Sequence, residues 1–286
     1  MSERARAATP WDDWLGRSET VEDVITLAPA QLLLATFDDS ETRLGLGDPL
    51  PPAWHWLYFL ARTPQSDLMR DGLAQGRGLL PPLGLPRRMF GGCRISFPAP
   101  LPIGSAVRRE STLVDLRQKQ GRSGPLVFVD TRHRIFAGDT LCVEETVTGV
   151  FREEGGVNNA PQPLDALPPP PAGAWGRDIA ATEPFLFRYS ALTHNPHRIH
   201  YDRPYATGVE GYPGLVVHGP LLASLLLELP RRHSPRRVSE FAFRAAAAVY
   251  DIAPFRTQGV PDGDSVDLAV IGPDGATAMT ATATLD

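Results

Sequence analysis

The sequence predicts an α+β fold built from two tandem units, each a curved antiparallel sheet wrapped around a helix. Three observations predict it. The stretch GGVNNAPQPLDALPPPPAGA (155–174), with four consecutive prolines and no apolar period, reads as an extended linker. It divides the chain into units 1–154 and 175–286. Each unit then carries one strongly apolar segment followed by a run of strand-like segments, a repeat of layout with little repeat of residues.

In the first unit the candidate helix is PAWHWLYFLAR (52–62). The strand candidates are GGCRISFPAP (91–100), AVRRESTLVDLRQK (106–119), PLVFVDTRHRIFAG (125–138) and TLCVEETVTGVFRE (140–153). In the second unit GPLLASLLLEL (219–229) is apolar on nearly every side, which marks a buried helix, and Pro230 is expected to end it. SEFAFRAAAAVY (239–250), DSVDLAVIG (264–272) and ATAMTATATL (276–285) follow as strands, and Pro-Asp-Gly between the last two is a hairpin signal. The two sheets can join edge to edge, each covering the other's open edge.

The bulk properties narrow the function. A chain of 286 residues, 42% hydrophobic and 21% charged, can bury a substantial core. No apolar run is long enough to span a membrane, and the first residues lack the apolar core of a signal peptide, so the expected compartment is the cytoplasm. Cys93 and Cys142 stand alone and suggest neither a disulfide framework nor a metal site. A net charge of −5 argues against nucleic acid. The positive charge is nearly all arginine, with Lys119 the one lysine; arginine suits carboxylate and phosphate recognition.

Four of the seven histidines fall between 194 and 218: His194, His197, His200 and His218. The first three are spaced i, i+3, i+6, so on a helix the outer two diverge by about 120°, which opposes a shared metal. Asn195 is a good N-cap and Pro196 suits a first helical position; Pro204 is expected to stop that short helix near Arg203. Eighteen residues after His200, His218-Gly219-Pro220 opens the buried helix, whose first amides lack internal partners and lie at the positive end of its dipole. Such a terminus can hold a carbonyl oxygen that gains negative charge. No glycine-rich dinucleotide loop follows a strand.

FRYSALTHNPHRIHYDRPYA…GYPGLVVHGPLLASLL resembles the hydratase motif of MaoC-like enoyl-CoA hydratases. It is closer to the branch of mitochondrial-type 3-hydroxyacyl-thioester dehydratases and of mesaconyl-C4-CoA or itaconyl-CoA hydratases. LLPPLGLPRRMFGG (79–92) also resembles a first-half signature of that branch. The resemblance implies a double hotdog with one active site, carried by the second unit. It implies a hydratase adding water to a short α,β-unsaturated acyl-CoA, with itaconyl-CoA or mesaconyl-C4-CoA giving citramalyl-CoA. A fatty-acid 3-hydroxyacyl-thioester dehydratase, a hotdog thioesterase and a non-catalytic acyl-CoA binder are the alternatives.

The family's acid-base His carries over to His200 and its oxyanion donor to Gly219. The family Asp falls on Asn195, a departure: a neutral amide can orient water but cannot take its proton. Asp202 is a possible carboxylate helper, or a partner of Arg198 at i, i+4. Arg88 and Arg198 are the candidate clamps for a second acyl carboxylate. The pairs Arg87-Arg88, Arg231-Arg232 and Arg236-Arg237 are candidates for coenzyme A phosphates. His218 is expected to support the helix start. No cofactor beyond the coenzyme A of the substrate is implied, no metal and no membrane; a homodimer is the expected assembly.

Overall fold

The structure is a computed structural model and describes residues 9–75, 78–121, 124–153 and 160–286. Its frame is one ten-stranded antiparallel sheet. The strands are β1 (Ser18–Val24), β2 (Arg87–Ser96), β3 (Ala106–Gly121), β4 (Gly124–Ala137), β5 (Thr140–Arg152), β6 (Trp175–Ile179), β7 (Val238–Ala245), β8 (Phe255–Asp262), β9 (Ser265–Ile271) and β10 (Thr277–Leu285). Their spatial order is β1-β3-β4-β5-β2-β7-β10-β9-β8-β6. Numbered within its own unit, each half runs 1-3-4-5-2 from its outer edge to the seam, so the repeat inferred from layout is a repeat of topology.

The seam is β2 against β7, with Cys93 opposite Phe243 and Ile95 opposite Phe241. Pairing there removes one open edge from each half-sheet. Gly92 belongs to this seam: a Cβ on it would lie 2.4 Å from the Phe243 carbonyl oxygen. The strands expected from alternating apolar residues form where that alternation is longest. The strand expected at 239–250 ends earlier, at Ala245; its alanine tail leaves the sheet after Ala246 and Ala247 bond the Ala278 carbonyl. The β9–β10 hairpin closes at the Pro-Asp-Gly turn, where Gly275 has φ +78°.

The helices require two corrections. Residues 52–62 form a single 3-10 turn, Trp54–Leu57, because Ala53 and Phe59 both take left-handed backbone angles (φ +66° and +54°). The turn is held by Glu145, which accepts from His55 Nε2 at 3.1 Å and Trp56 Nε1 at 3.0 Å. The first half's helix is instead α1 (Leu27–Thr36), whose sequence LAPAQLLLAT is apolar without a period. In the second half, α2 (Glu183–Leu192) and α3 (Arg203–Gly208) precede α4 (Gly219–His233). Pro230 does not end α4: the helix runs one further turn, with the Ser234 amide bonded to the Pro230 carbonyl. Leu221 through Pro230 are all buried. Sheet and α4 thus share one main core, and a smaller cluster of Leu113, Leu116, Val127, Val129 and Phe151 packs beyond it in the first half.

Part of the expected linker, 155–159, lies outside the described residues. Residues 160–174 contain no helix or strand and run beside the second half, where the Leu164 amide bonds the Pro273 carbonyl. Among the described residues no helix is long and apolar enough to cross a membrane.

Candidate active site

The histidine segment enters the site from the end of α2. Thr182 caps α2 and its chain stops at Leu192; His194 then takes φ +47° and turns away, its Nδ1 facing the Ala61 carbonyl oxygen. The short helix expected from Asn195 does not start there. The Asn195 side chain accepts the His197 amide at 3.1 Å, a local turn, and the regular part is one 3-10 turn at Arg198–His200. Pro204 does not stop a helix either. It sits in the first turn of α3, where a missing N–H costs nothing, and Asp202 caps that helix through the Tyr205 amide at 3.1 Å. The first half braces the segment from outside. The Asp71 carbonyl accepts the Arg198 amide at 2.8 Å, and Gly72 (φ +92°) presses so near Pro196 that a Cβ would lie 1.9 Å from its carbonyl oxygen.

These turns deliver His200 onto His218. The two rings stack with centroids 3.7 Å apart and planes 19° apart, and His197 meets His200 edge-on at 5.4 Å. His218 immediately precedes the first residue of α4. His200 and the Gly219 amide therefore lie on adjoining parts of one site, and among the described residues the Gly219 N–H has no partner. Phe90 of β2 packs over Gly219, its Cδ1 3.3 Å from where a Cβ would sit, and stacks on Phe243 at 5.5 Å. The wall facing the second half's chemistry is thus supplied by the first half.

The protonation state follows from the hydrogen bonds. His200 Nδ1 lies 2.7 Å from the Val216 carbonyl oxygen, which can only accept, so Nδ1 carries the proton and Nε2 keeps its lone pair. Burial pushes the His200 pKa down to about 3, only partly opposed by that bond, and His197 lowers it further. The ring is a neutral base at pH 7, not a group poised at neutrality. Burial also holds His218 well below its ordinary value, with His200 and His197 adding to the effect. Two imidazoles at stacking distance resist charging together.

The His218 side chain forms its hydrogen bond away from α4 and does not cap it. Its Nε2 pairs with Ser190 Oγ at 2.8 Å, and its buried Nδ1 has no partner among the described residues. Ser190, the Val216 carbonyl and Phe90 were given no role by sequence reasoning. Ser190 and Phe90 lie inside the quoted motifs, so the signal was present but carried no geometry.

The arginines separate sharply. Arg198 pairs with Asp202 at 2.7 Å, lies over the Tyr205 ring and donates to the Arg70 carbonyl, so neither it nor Asp202 is free for the reaction. Arg87 pairs with Glu210 at 3.1 Å. Arg231 and Arg232 sit at the opposite end of α4 from Gly219. Arg231 pairs with Asp39 and Glu228 (both 2.5 Å) and Arg232 with Glu228 at 3.2 Å. Arg236 pairs with Asp264 and Arg237 with Asp286. Arg231, a candidate for the coenzyme A phosphates, is held in this ion-pair network. Of the six paired candidates, Arg88 alone has no carboxylate partner among the described residues.

Comparisons with known proteins show the family and the fold. A family model described as hydroxyacyl-thioester dehydratase type 2 matches residues 53–251. The chain is 50% identical over 279 residues to the mesaconyl-C(4)-CoA hydratase of Chloroflexus aurantiacus, covering 98% of this chain and 99% of that one. The crystal structure of HtdX from Mycobacterium tuberculosis superposes with a TM-score of 0.64 at 20% identity, covering 93% of this chain and 98% of that one. A second M. tuberculosis protein, described as having a double hotdog fold, superposes with a TM-score of 0.58 at 14% identity, covering 95% and 96%. The fold is the double hotdog.

Proposed function

The chain belongs to the hydroxyacyl-thioester dehydratase type 2 family, and from that premise we propose that it hydrates a short α,β-unsaturated acyl-CoA bearing a second carboxylate. It is an enzyme of the hydro-lyase class. Mesaconyl-C4-CoA, the substrate in the name of its 50%-identical relative, or itaconyl-CoA is the proposed substrate and citramalyl-CoA the product, a step in breaking down C5 dicarboxylates such as itaconate. The proposed compartment is the cytoplasm, and no cofactor is assigned beyond the coenzyme A of the substrate.

The observation that carries this reading is a neutral, oriented imidazole stacked one residue from an unpartnered helix-start amide. The thioester oxygen accepts from the Gly219 N–H, which stabilises the enolate-like charge; a donor of this kind is worth about 3 kcal/mol of barrier. His200 Nε2 takes a proton from water as its oxygen bonds to Cβ. The imidazolium then returns that proton to Cα, so water adds across the conjugated double bond of mesaconyl-C4-CoA and the enzyme ends unchanged; itaconyl-CoA, whose double bond joins Cβ and Cγ, follows this route only after a proton shift brings the double bond to Cα–Cβ. Asn195 cannot share the base role because its amide does not accept a proton at this pH. One base serves both steps, and burial keeps that base uncharged before the first of them.

The test is hydration of mesaconyl-C4-CoA, itaconyl-CoA and crotonyl-CoA by the parent and by His200→Ala. Loss of turnover in the variant is the expected result; parental rates in the variant would remove His200 from the mechanism. Release of free thiol without hydration would establish a thioesterase instead.

A further inference from the structure

Arg88 lies on the concave face of the sheet. Across the β2–β5 ladder Arg88 faces Phe151, Phe90 faces Gly149 and, past the irregularity at Gly91, Cys93 faces Val147. Opposed residues share a face, and 147, 149 and 151 alternate by two, so Arg88, Phe90 and Cys93 project to one side. Phe90 and Cys93 identify that side: Cys93 is buried in the main core and Phe90 covers Gly219. Arg88 is thus two residues, about 7 Å, along the strand from the wall of the active site.

The surroundings of this guanidinium are unusual for an arginine on an inward face. Its side chain is open to solvent, and neighbouring protein lowers its pKa by taking away part of its hydration. Its charge reaches His197, the ring that packs edge-on against His200. The Phe151 ring lies 5.8 Å away, and among the described residues no carboxylate pairs with it. Its neighbour Arg87 is satisfied by Glu210, and the other clamp candidate, Arg198, by Asp202. A guanidinium on this face, beside the proposed site and without a carboxylate partner, is available to an anionic ligand.

We propose that Arg88 is the specificity residue of this site, pairing with a free carboxylate at the end of the acyl chain remote from the thioester. The inference rests on the acyl-CoA reading above and adds what selects the acyl group. A planar fork fits a carboxylate through two parallel hydrogen bonds, and lysine at the same place would supply a point charge only.

Calorimetric binding of succinyl-CoA and butyryl-CoA to the full-length protein tests it. The two ligands share coenzyme A and acyl length and differ in the terminal carboxylate. The parent is expected to favour succinyl-CoA on the order of 10- to 100-fold. Arg88→Gln is expected to bring that ratio near unity, and Arg88→Lys to keep part of it. A parent with no preference overturns the proposal, and this arm requires no variant to fold. An equal loss of both ligands in Arg88→Gln would assign the guanidinium to the coenzyme A phosphates and overturn it as well. Binding needs no turnover: selective, Arg88-dependent binding without hydration of any unsaturated acyl-CoA would refute the hydratase reading and leave the specificity assignment standing.

Discussion

The two halves share one strand order and use the space on the concave side of their sheets differently. The second half fills it with α4, fifteen residues that start at Gly219, next to the His218 ring that stacks on His200. The first half has one 3-10 turn at the corresponding place and a buried polar knot: Glu145 joined to His55 and Trp56, with Cys93 and His133 beside it. Burial opposes ionisation of Glu145, yet His55 and its other partners hold its pKa at about 2, so it stays a carboxylate. One half presents a helix-start amide and an imidazole lone pair; the other joins His55, Trp56 and Glu145 to one another at the corresponding place. A duplicated frame can thus keep chemistry in one copy and turn the other into support. That support reaches the site through contact: Trp56 packs on Phe243, Phe243 on Phe90, and Phe90 on Gly219.

The sharpest way to break the comparison is to remove the imidazole proposed as the base. His200→Ala is expected to lower kcat by roughly 10²- to 10⁴-fold with little loss of fold, measured by steady-state hydration of the proposed substrates. The matching change in the first half should do the opposite. Glu145→Ala leaves buried histidine and indole donors without an acceptor, so urea unfolding should show a loss of about 3 kcal/mol while the folded fraction keeps near-parental kcat. Comparable loss of kcat with unchanged stability would mean that the first half also carries chemistry.

A smaller effect concerns pH. His200 and His218 are held neutral in the folded protein and bind protons freely when unfolded, at about pH 6.5. The unfolded state then holds more protons, so stability is full above that pH. It falls as pH drops toward 3, by about 1.4 kcal/mol per unit for each ring once protonation of the unfolded state is complete. Urea unfolding at pH 7.5 and pH 5 should show this fall, and His200→Gln should reduce it. Between those values the acid limb of kcat/KM expected of an ordinary histidine should be missing. The smallest effect is expected at Asp202. Its carboxylate caps α3 and pairs with Arg198, so Asp202→Asn should leave kcat within about twofold. A drop comparable to that of His200→Ala would return Asp202 to the reaction.

Much of the frame was legible in the sequence. β3, β4, β5, β9 and β10 alternate over enough residues to declare a half-buried face, and Leu221–Leu229 is too apolar to be anything but a core helix. What failed depended on contacts far away in the chain. Residues 52–62 have helical composition, but left-handed angles at Ala53 and Phe59 break them, and neither residue type signals such angles. The first half's true helix, α1, has no apolar period because its exposed positions Ala28, Leu32 and Ala35 are apolar too, although the core meets it on the single face of Ala30, Leu33 and Leu34. In the site, the family motif located His200 and Gly219 but not their geometry. The stacking on His218, the Val216 carbonyl that fixes the tautomer and the Phe90 wall join segments that sequence spacing leaves unrelated. Arg88 could not be told from Arg87 until the ladder register assigned them to opposite faces.

The most direct test of the whole account is a crystal structure of the protein with a saturated acyl-CoA bound. The thioester oxygen is expected about 3 Å from the Gly219 nitrogen, with His200 Nε2 facing the Cα–Cβ bond. A thioester seated anywhere else, or one whose oxygen is held by other donors while His200 faces only protein, would contradict it.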